Sequence, residues 1–215
     1  MIKLGKAELH NADCMELMAQ YPDNYFELAI VDPPYGIKRD GQVETFTKNP
    51  KHKRKLFVGK GWDSKTPDID YFYQLERVTK NRIIWGANYY PQYLKSSMGW
   101  VFWDKGQDLS MSDGELAYTS FQKALRRIVI NRGQLMLEGG TIHPTQKPVK
   151  LYEWLLTNYA KQGDKILDTH LGSMSSVIAC HNLGFEIVGS ELDADYFEAG
   201  VERVKKAMSQ QRLFE

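Results

Sequence analysis

Apolar and polar residues alternate along this chain with two different periods. Short, mostly apolar runs predict strands at 8–11, 28–31, 82–86, 99–105, 115–121, 165–168 and 186–193. Apolar residues at helical spacing predict helices at 15–18, 71–78, 151–159, 177–184 and 197–208. Strands that alternate with helices favour an α/β fold, in which helices cover both faces of a mostly parallel sheet.

The run at 28–31 ends abruptly. It is followed by Asp32, two prolines and Tyr35, and proline cannot donate to a strand ladder and keeps the residue before it extended. The chain must therefore leave the sheet here. This exit places a carboxylate, free backbone carbonyls and an aromatic ring at the carboxyl end of a strand, where open α/β sheets bind ligands. Such a corner can accept hydrogen bonds from an amino group and cover a planar base.

A second turn with candidate chemistry follows the strand at 165–168. Asp168 ends the strand and small residues around Gly172 precede a helix, so backbone donors form a pocket in which a cofactor can rest. Glu191 lies about twenty residues beyond this turn, where an acid can accept ribose hydroxyls, and Asp193 can cap the next helix. We expect Glu191 to be free at the strand tip. The full Gly-x-Gly-x-x-Gly fingerprint is absent, which argues against a nicotinamide enzyme.

Length and composition indicate one folded unit. The 215 residues can bury a full core, so residues 1–215 are most simply one domain. Cys14 and Cys180 form neither a disulfide framework nor a metal-binding pattern, and no apolar run is long enough to span a bilayer. We therefore expect a cytoplasmic protein with no metal and no membrane association.

Positive charge is concentrated after the Pro-Pro corner. The formal net charge is only +1, yet residues 38–65 contain nine Lys and Arg residues against three acids. We call the segment 37–63 the basic loop; it includes the run 51–55 and has little periodicity. It is either a solvated loop or a surface that lies against phosphates. Trp62 near its end either anchors the loop or stacks on a base, and we favour anchoring.

Three motifs carry a resemblance to a known family. Asp32-Pro33-Pro34-Tyr35 matches the (Asp/Asn/Ser)-Pro-Pro-aromatic motif of the amino-methyltransferases that methylate adenine or cytosine in DNA. The stretch 143–148 reproduces the family's His-Pro-Thr-Gln-Lys-Pro signature. The stretch 168–174 is similar to the family's Asp-x-Phe-x-Gly-Ser-Gly, with His170 in place of phenylalanine and Met174 in place of the last glycine. Because the Pro-Pro motif precedes the glycine-rich turn, the chain resembles the circularly permuted β group.

This resemblance implies a Rossmann-like sheet that binds S-adenosyl-L-methionine (SAM), and it assigns the site residues. The implied catalytic residues are Asp32, Pro33, Pro34 and Tyr35. The implied cofactor-binding residues are Asp13, Cys14, His143, Thr145, Lys147, Asp168, His170, Gly172, Ser173 and Glu191. Asp13 is explained equally well as a helix cap. Met174 would crowd the turn if a left-handed backbone or a close approach is needed there. The assignment requires Asp32 and Asp168 to lie at one shared cavity.

The implied activity is methyl transfer to the N6 amino group of a flipped-out adenine in double-stranded DNA, with Tyr35 stacked on the base. The segment 105–140 corresponds to the family's target-recognition region, although a plain basic strand explains 122–140 equally well. Tyr118 is either a core residue or part of the base pocket. Adenine is favoured because Asp-Pro-Pro-Tyr is more typical of the adenine enzymes. Methylation of cytosine N4, of RNA or of a protein amide stays open, as do a homodimer and a DNA-binding homologue that has lost methyl transfer.

Overall fold

A nine-stranded sheet forms the centre of the described protein. The structure is a computed structural model, and it describes residues 1–41, 56–106 and 112–210. The strands are β1 (Ile2–Leu4), β2 (Ala7–Asn11), β3 (Phe26–Val31), β4 (Thr79–Trp85), β5 (Trp100–Asp104), β6 (Gly114–Thr119), β7 (Arg126–Val129), β8 (Lys165–Asp168) and β9 (Glu186–Glu191). Their order across the sheet is β1-β2-β9-β8-β3-β4-β6-β5-β7. Strands from the two halves of the chain are therefore neighbours.

Most of this sheet is parallel, as the alternation of strands and helices predicts. The strands β2, β9, β8, β3 and β4 all run in the same direction. The strand β6 is antiparallel to both β4 and β5, and β7 pairs parallel with β5 at one edge of the sheet. The carboxyl ends of the five parallel strands consequently lie side by side, and the candidate site is built at these ends.

Helices cover both faces of the sheet. They are α1 (Cys14–Ala19), α2 (Ile69–Val78), α3 (Gln134–Leu137), α4 (Val149–Tyr159), α5 (Ser175–Leu183) and α6 (Ala194–Ser209). Leu28 and Ile30 of β3 pack in an apolar cluster with α4, α5 and α6, whereas Ala29 and Val31 pack in a second cluster with α1 and α2. Because alternate residues of a strand point to opposite faces, both faces are buried, which confirms the predicted architecture. None of the helices in the described ranges is long and apolar enough to cross a membrane.

The predicted elements are present, with their ends shifted by a few residues. The strand predicted at 82–86 begins at Thr79, directly after α2 ends. The strand predicted at 186–193 ends at Glu191, because Asp193 caps α6. The interval 122–140 contains β7 and α3, so a basic strand is indeed part of it. The run 51–55 of the basic loop lies outside the described residues.

Met174 adopts a left-handed backbone, the conformation in which the sequence predicts crowding. It precedes α5 with φ +58° and ψ 30°, which residues other than glycine rarely adopt. Its side chain is fully buried and packs toward α6, where a Cβ atom added to Gly200 would lie 2.8 Å from Met174 Cγ and 2.9 Å from its Sδ. The absence of a side chain at Gly200 therefore leaves the space that the Met174 side chain fills. A larger residue at position 200 of α6 would be crowded by Met174.

The substitution Gly200→Ala is expected to destabilise the protein only while Met174 is present. The new Cβ would collide with a fully buried side chain, and such overpacking costs about 1–3 kcal/mol, against roughly 1 kcal/mol gained from the better helix former. Urea unfolding should show a lower free energy of unfolding for Gly200→Ala. In a Met174→Ala background the same change should instead raise it, by up to about 1 kcal/mol. Equal effects in the two backgrounds would contradict this packing.

Candidate active site

A cavity of about 660 Å³ opens at the carboxyl ends of the parallel strands. The strand β3 ends at Val31 and β8 ends at Asp168, and these two strands pair in parallel. Asp32 and Asp168 therefore lie at the same edge of the sheet. Asp32 lines the cavity, and so does Thr169, the residue after Asp168. The two halves of the predicted site thus meet at one cavity.

Most of the predicted site residues line this cavity. They are Asp13, Cys14, Asp32, Pro34, His143, Thr145, Lys147, His170, Gly172, Ser173 and Glu191. Pro33, Tyr35 and Asp168 are not part of the lining. Tyr35 still belongs to the site, because its hydroxyl contacts both Asp32 and Lys147.

Asp32 is held by a group of charged side chains. Its Oδ2 lies 2.5 Å from Lys147 Nζ, and its Oδ1 accepts a hydrogen bond of 2.6 Å from the Tyr35 hydroxyl. Glu115 Oε2 lies 3.0 Å from the same Lys147 Nζ, and Glu115 Oε1 lies 3.0 Å from Lys105 Nζ. We call Asp32, Lys147, Glu115 and Lys105 the charge cluster. Positive and negative side chains alternate in it, so its formal charges balance.

Burial and neighbouring charges set the ionisation of this cluster. Burial raises the pKa of Asp32, and the attraction of Lys147 only partly opposes this. Burial also acts to raise the pKa of Glu115, but attraction to Lys147 and Lys105 outweighs it and lowers the pKa to about 2. Burial acts against the Lys147 ammonium, yet Asp32 and Glu115 raise its pKa. Lys147 and Glu115 are therefore charged at neutral pH, and Asp32 is the acid in the cluster that accepts a proton more readily.

Asp63 fixes the backbone of the Pro-Pro corner. It is buried, and its Oδ1 accepts hydrogen bonds of 2.8 Å from the backbone N–H groups of Tyr35 and Gly36. Its Oδ2 accepts a third from Arg39 N at 2.7 Å. A lone acid in a loop of low periodicity gives no sequence signal for such a role. Neither Asp63 nor Glu115 is predicted as a site residue from the sequence, because both act across long sequence separations.

The Tyr35 ring depends on a neighbouring glycine. A Cβ atom added to Gly86 would lie 2.0 Å from Cε1 of the Tyr35 ring, so only glycine leaves room for the ring there. The ring is stacked on Tyr89, with centroids 5.0 Å apart. Stacking of Tyr35 on a base stays a prediction. Tyr118 is a core residue, since it is buried and packs edge-on against Trp100.

Two acids lie at the ends of neighbouring strands on the other side of the cavity. Asp13 follows β2 and caps α1 by accepting a hydrogen bond of 2.7 Å from Met15 N, which confirms the capping interpretation, and it also lines the cavity. Glu191 accepts hydrogen bonds from Gly172 N at 2.7 Å and from Asp193 N at 3.0 Å. The expectation that Glu191 is free at the strand tip is therefore wrong. Its carboxylate oxygens keep further acceptor positions, because each can accept more than one hydrogen bond.

Asp168 supports the glycine-rich turn between β8 and α5 through hydrogen bonds. Its Oδ2 accepts a hydrogen bond of 2.6 Å from the Ser176 hydroxyl, and its Oδ1 accepts one of 3.1 Å from His170 N. It is only 1% exposed, and burial raises its pKa to about 7. Asp168 thus braces the turn before α5 and does not line the cavity. The structure does not support the predicted direct contact of Asp168 with a cofactor.

The last residues of the basic loop are fixed on α6 beside the cavity. Lys60 Nζ lies 2.7 Å from Asp193 Oδ1 and 2.6 Å from Asp195 Oδ2. Trp62 stacks on His143 with centroids 5.2 Å apart, and both residues line the cavity. Trp62 therefore anchors this end of the loop, which is the interpretation that the sequence favours.

Several titratable groups of the cavity are neutral at pH 7. Burial lowers the pKa of His143 to about 3 and that of His170 to about 4. Burial raises the pKa of the Cys14 thiol to about 12. These three side chains consequently offer neutral surfaces to the same cavity that Asp13 and Glu191 line.

Comparisons with known proteins point to one family. The family model that describes N6/N4 DNA methylases matches residues 82–202. YubD of Escherichia coli (strain K12), a protein named as a methylase, is 26% identical over 217 residues, which cover 92% of this chain and 91% of YubD. The type II methyltransferase M.HpaI of Haemophilus parainfluenzae is 36% identical over 62 residues, which cover 29% of this chain and 20% of M.HpaI.

Solved structures of methyltransferases share the fold. The M1.HpyAVI–SAM complex has a TM-score of 0.60 at 18% identity and covers 92% of this chain and 99% of its own. TTHA0409 of Thermus thermophilus in complex with SAM has a TM-score of 0.60 at 15% identity, over 94% and 95%. The cytosine-N4-specific PvuII DNA methyltransferase has a TM-score of 0.60 at 13% identity, over 94% and 90%.

Similarity at such low identity shows the fold alone. The family model nevertheless spans more than half of the chain. This chain therefore belongs to the N6/N4 family of DNA methylases.

Proposed function

We propose that this protein transfers a methyl group from SAM to the N6 amino group of adenine in double-stranded DNA. The observation that carries the proposal is that the Asp32 corner and the turn from Thr169 to Ser173 line one cavity. An acceptor for an amino group and the glycine-rich turn therefore face the same space. Transfer between two bound substrates needs this arrangement, because the reacting atoms must be held close together and aligned.

The cavity fits SAM in size and in chemistry. Its volume of about 660 Å³ lies within the range of roughly 300–1,000 Å³ that is typical of ligand sites. We propose that Asp13 binds the adenine and that Glu191 binds the ribose hydroxyls, with the neutral Cys14 and His170 beside them. His143, Thr145 and Ser173 would bind the methionine end. SAM, when bound, supplies a methyl group carried on a positively charged sulfur.

The Pro-Pro corner positions the amino group that receives the methyl group. The lone pair of N6 is delocalised into the adenine ring, so this nitrogen is a poor nucleophile. Hydrogen bonds from its N–H groups to Asp32 and to the Pro33 carbonyl, with the Pro34 carbonyl as a further acceptor, favour a tetrahedral nitrogen with a localised lone pair. Asp32 is also the acid of the charge cluster that accepts a proton more readily, which suits it to receive the proton that N6 releases.

The base must leave the duplex to reach this corner, so the protein must also bind the flanking DNA. We propose that residues 1–215 form one methyltransferase domain, in which the basic loop 37–63 and the segment 105–140 contact DNA. Within the second segment, β7 presents Arg126 and Arg127 as exposed side chains at an edge of the sheet. Arg127 is paired with Asp104 at 2.5 Å, so it would exchange this partner for a phosphate or a base edge.

Adenine is favoured as the target because Asp-Pro-Pro-Tyr resembles the motif of the adenine enzymes. The packing of Met174 supports an active enzyme over a homologue that has lost transfer. Its side chain packs against Gly200 of α6 and does not line the cavity, so it leaves the cofactor space open.

The substitution Asp32→Ala is expected to remove methyl transfer while leaving SAM binding nearly unchanged. Loss of the acceptor should lower the single-turnover rate by at least about 10²-fold, the lower end of what a positioned acid or base contributes. The fold should persist because Lys147 keeps Glu115 as its counter-ion. The tests are transfer of a tritiated methyl group to DNA and calorimetric titration with SAM. Glu198→Ala, which removes an exposed carboxylate of α6, is the matched control. Parallel loss of both transfer and SAM binding would contradict this role.

The modified base can be identified directly. DNA methylated by the protein, digested to nucleosides and separated, should contain N6-methyladenosine in its deoxy form and no N4-methylcytosine. This expectation rests on the resemblance of the Asp-Pro-Pro-Tyr motif to that of the adenine enzymes. A product with N4-methylcytosine would overturn the base assignment while leaving family membership unaffected.

A further inference from the structure

Lys147 has a protein acceptor for each of its N–H bonds. Its Nζ lies 2.5 Å from Asp32 Oδ2, 3.0 Å from Glu115 Oε2 and 3.2 Å from the Tyr35 hydroxyl. An ammonium group has three donors, so none remains for a ligand. The side chain is also only 3% exposed. Although Lys147 lines the cavity, its charged end is therefore committed to Asp32 and its neighbours, and the predicted role as a cofactor ligand does not fit this geometry.

Glu115 gives Lys147 a second anionic partner. Glu115 lies on β6, and its other oxygen is held by Lys105 at the end of β5, so it is fixed from two sides. When the Asp32 carboxylate turns toward an incoming amino group, Lys147 keeps Glu115 as its counter-ion. Without Glu115, release of Asp32 would leave a buried ammonium unpaired, which is strongly unfavourable.

We propose that Lys147 and Glu115 are positioning residues, in which Lys147 orients the Asp32 carboxylate and Glu115 retains Lys147 while Asp32 exchanges partners. This inference rests on the proposed function and names two residues that act through Asp32 without touching the reacting atoms. It separates Lys147 from the residues that bind the cofactor.

The opposite charges of the two residues give them opposite effects on Asp32. Lys147 stabilises the carboxylate and lowers the pKa of Asp32, whereas Glu115 raises it. Tyr35 faces Asp32 directly and also lowers its pKa through a hydrogen bond. Lys105 acts on Asp32 through Glu115. The other ionisable groups that interact with Asp32 are Asp168, Tyr71, Tyr90 and Tyr152.

The test is the pH profile of the single-turnover rate, measured with the protein and SAM in excess over the DNA. Its acid limb reports the ionisation of Asp32. The substitution Lys147→Met should move this limb to higher pH by about one unit or more, as loss of a close opposite charge does. Glu115→Gln should move it to lower pH. Lys147→Arg keeps the charge, so its acid limb should lie at nearly the same pH as that of the unmodified protein. Lys150→Met removes an exposed lysine three positions away and should leave the profile unchanged.

SAM affinity and a double variant distinguish a positioning role of Lys147 from cofactor binding and from a loss of folding. The dissociation constant of SAM should change by less than about threefold in Lys147→Met, well short of the tenfold that one lost contact commonly costs. The double variant Lys147→Met with Glu115→Gln removes both charges together, so it should fold even if Lys147→Met alone does not. The acid limb of the double variant should lie at lower pH than that of Lys147→Met. Weakened SAM binding with an unmoved acid limb, or shifts of the same sign in both single variants, would overturn the inference.

A readout without DNA separates this inference from the proposed function. A carboxyl ¹³C titration by NMR, with the Asp32 signal assigned by its loss in Asp32→Ala, should show the same opposite shifts for Lys147→Met and Glu115→Gln. Absence of these shifts would refute the positioning role. Their presence together with no methyl transfer by the unmodified protein to any DNA would refute the proposed function and leave the positioning of Asp32 established.

Discussion

Parallel pairing of β3 with β8 is the constraint on which the candidate site depends. Leu28 pairs with Ile166 and Ala29 pairs with Leu167, so segments from the two halves of the chain end side by side. The Pro-Pro corner leaves one of these strands and the glycine-rich turn leaves the other. A slip of one residue in this register would turn Asp32 to the opposite face of the sheet. The apolar clusters on both faces hold the register, because alternate residues of β3 fill them.

The order of the strands also brings the charge cluster together. Asp32 follows β3, Glu115 lies on β6 and Lys105 follows β5, while Lys147 comes from the loop before α4. The strands order these groups so that charges of opposite sign alternate at short distances. Water is largely excluded from Lys147, so each pair is stronger than it would be at the surface. The Asp32 carboxylate is thereby held in one orientation by Lys147 and Tyr35.

The sequence could predict the parts of the site that are local. The strand before Asp32, the turn around Gly172 and the caps at Asp13 and Asp193 each follow from a few adjacent residues, and the structure has all of them. The resemblance of the motifs to those of the family further predicted that these parts share one cavity. The left-handed backbone at Met174 could be anticipated from the glycine it replaces, but its accommodation by Gly200 on another helix could not.

Roles that depend on long-range contacts were not accessible from the sequence. Asp63 supports the Pro-Pro corner from a loop without periodicity, and Gly86 makes room for the Tyr35 ring from the end of a different strand. In the sequence Glu115 is an ordinary strand residue, and only the sheet order shows that it lies beside Lys147. The same limit explains Asp168, whose position in a family motif predicts a cofactor contact although its carboxylate braces the turn.

The proposed function requires both substrates of the reaction to meet in the cavity between Asp32 and Glu191. A crystal structure of the protein with S-adenosylhomocysteine, the product that remains after methyl transfer, tests this claim most directly. The ribose is expected to contact Glu191, and the sulfur is expected to face the Asp32 corner. Ligand density elsewhere in the protein, or in this cavity with the sulfur directed away from Asp32, would contradict it.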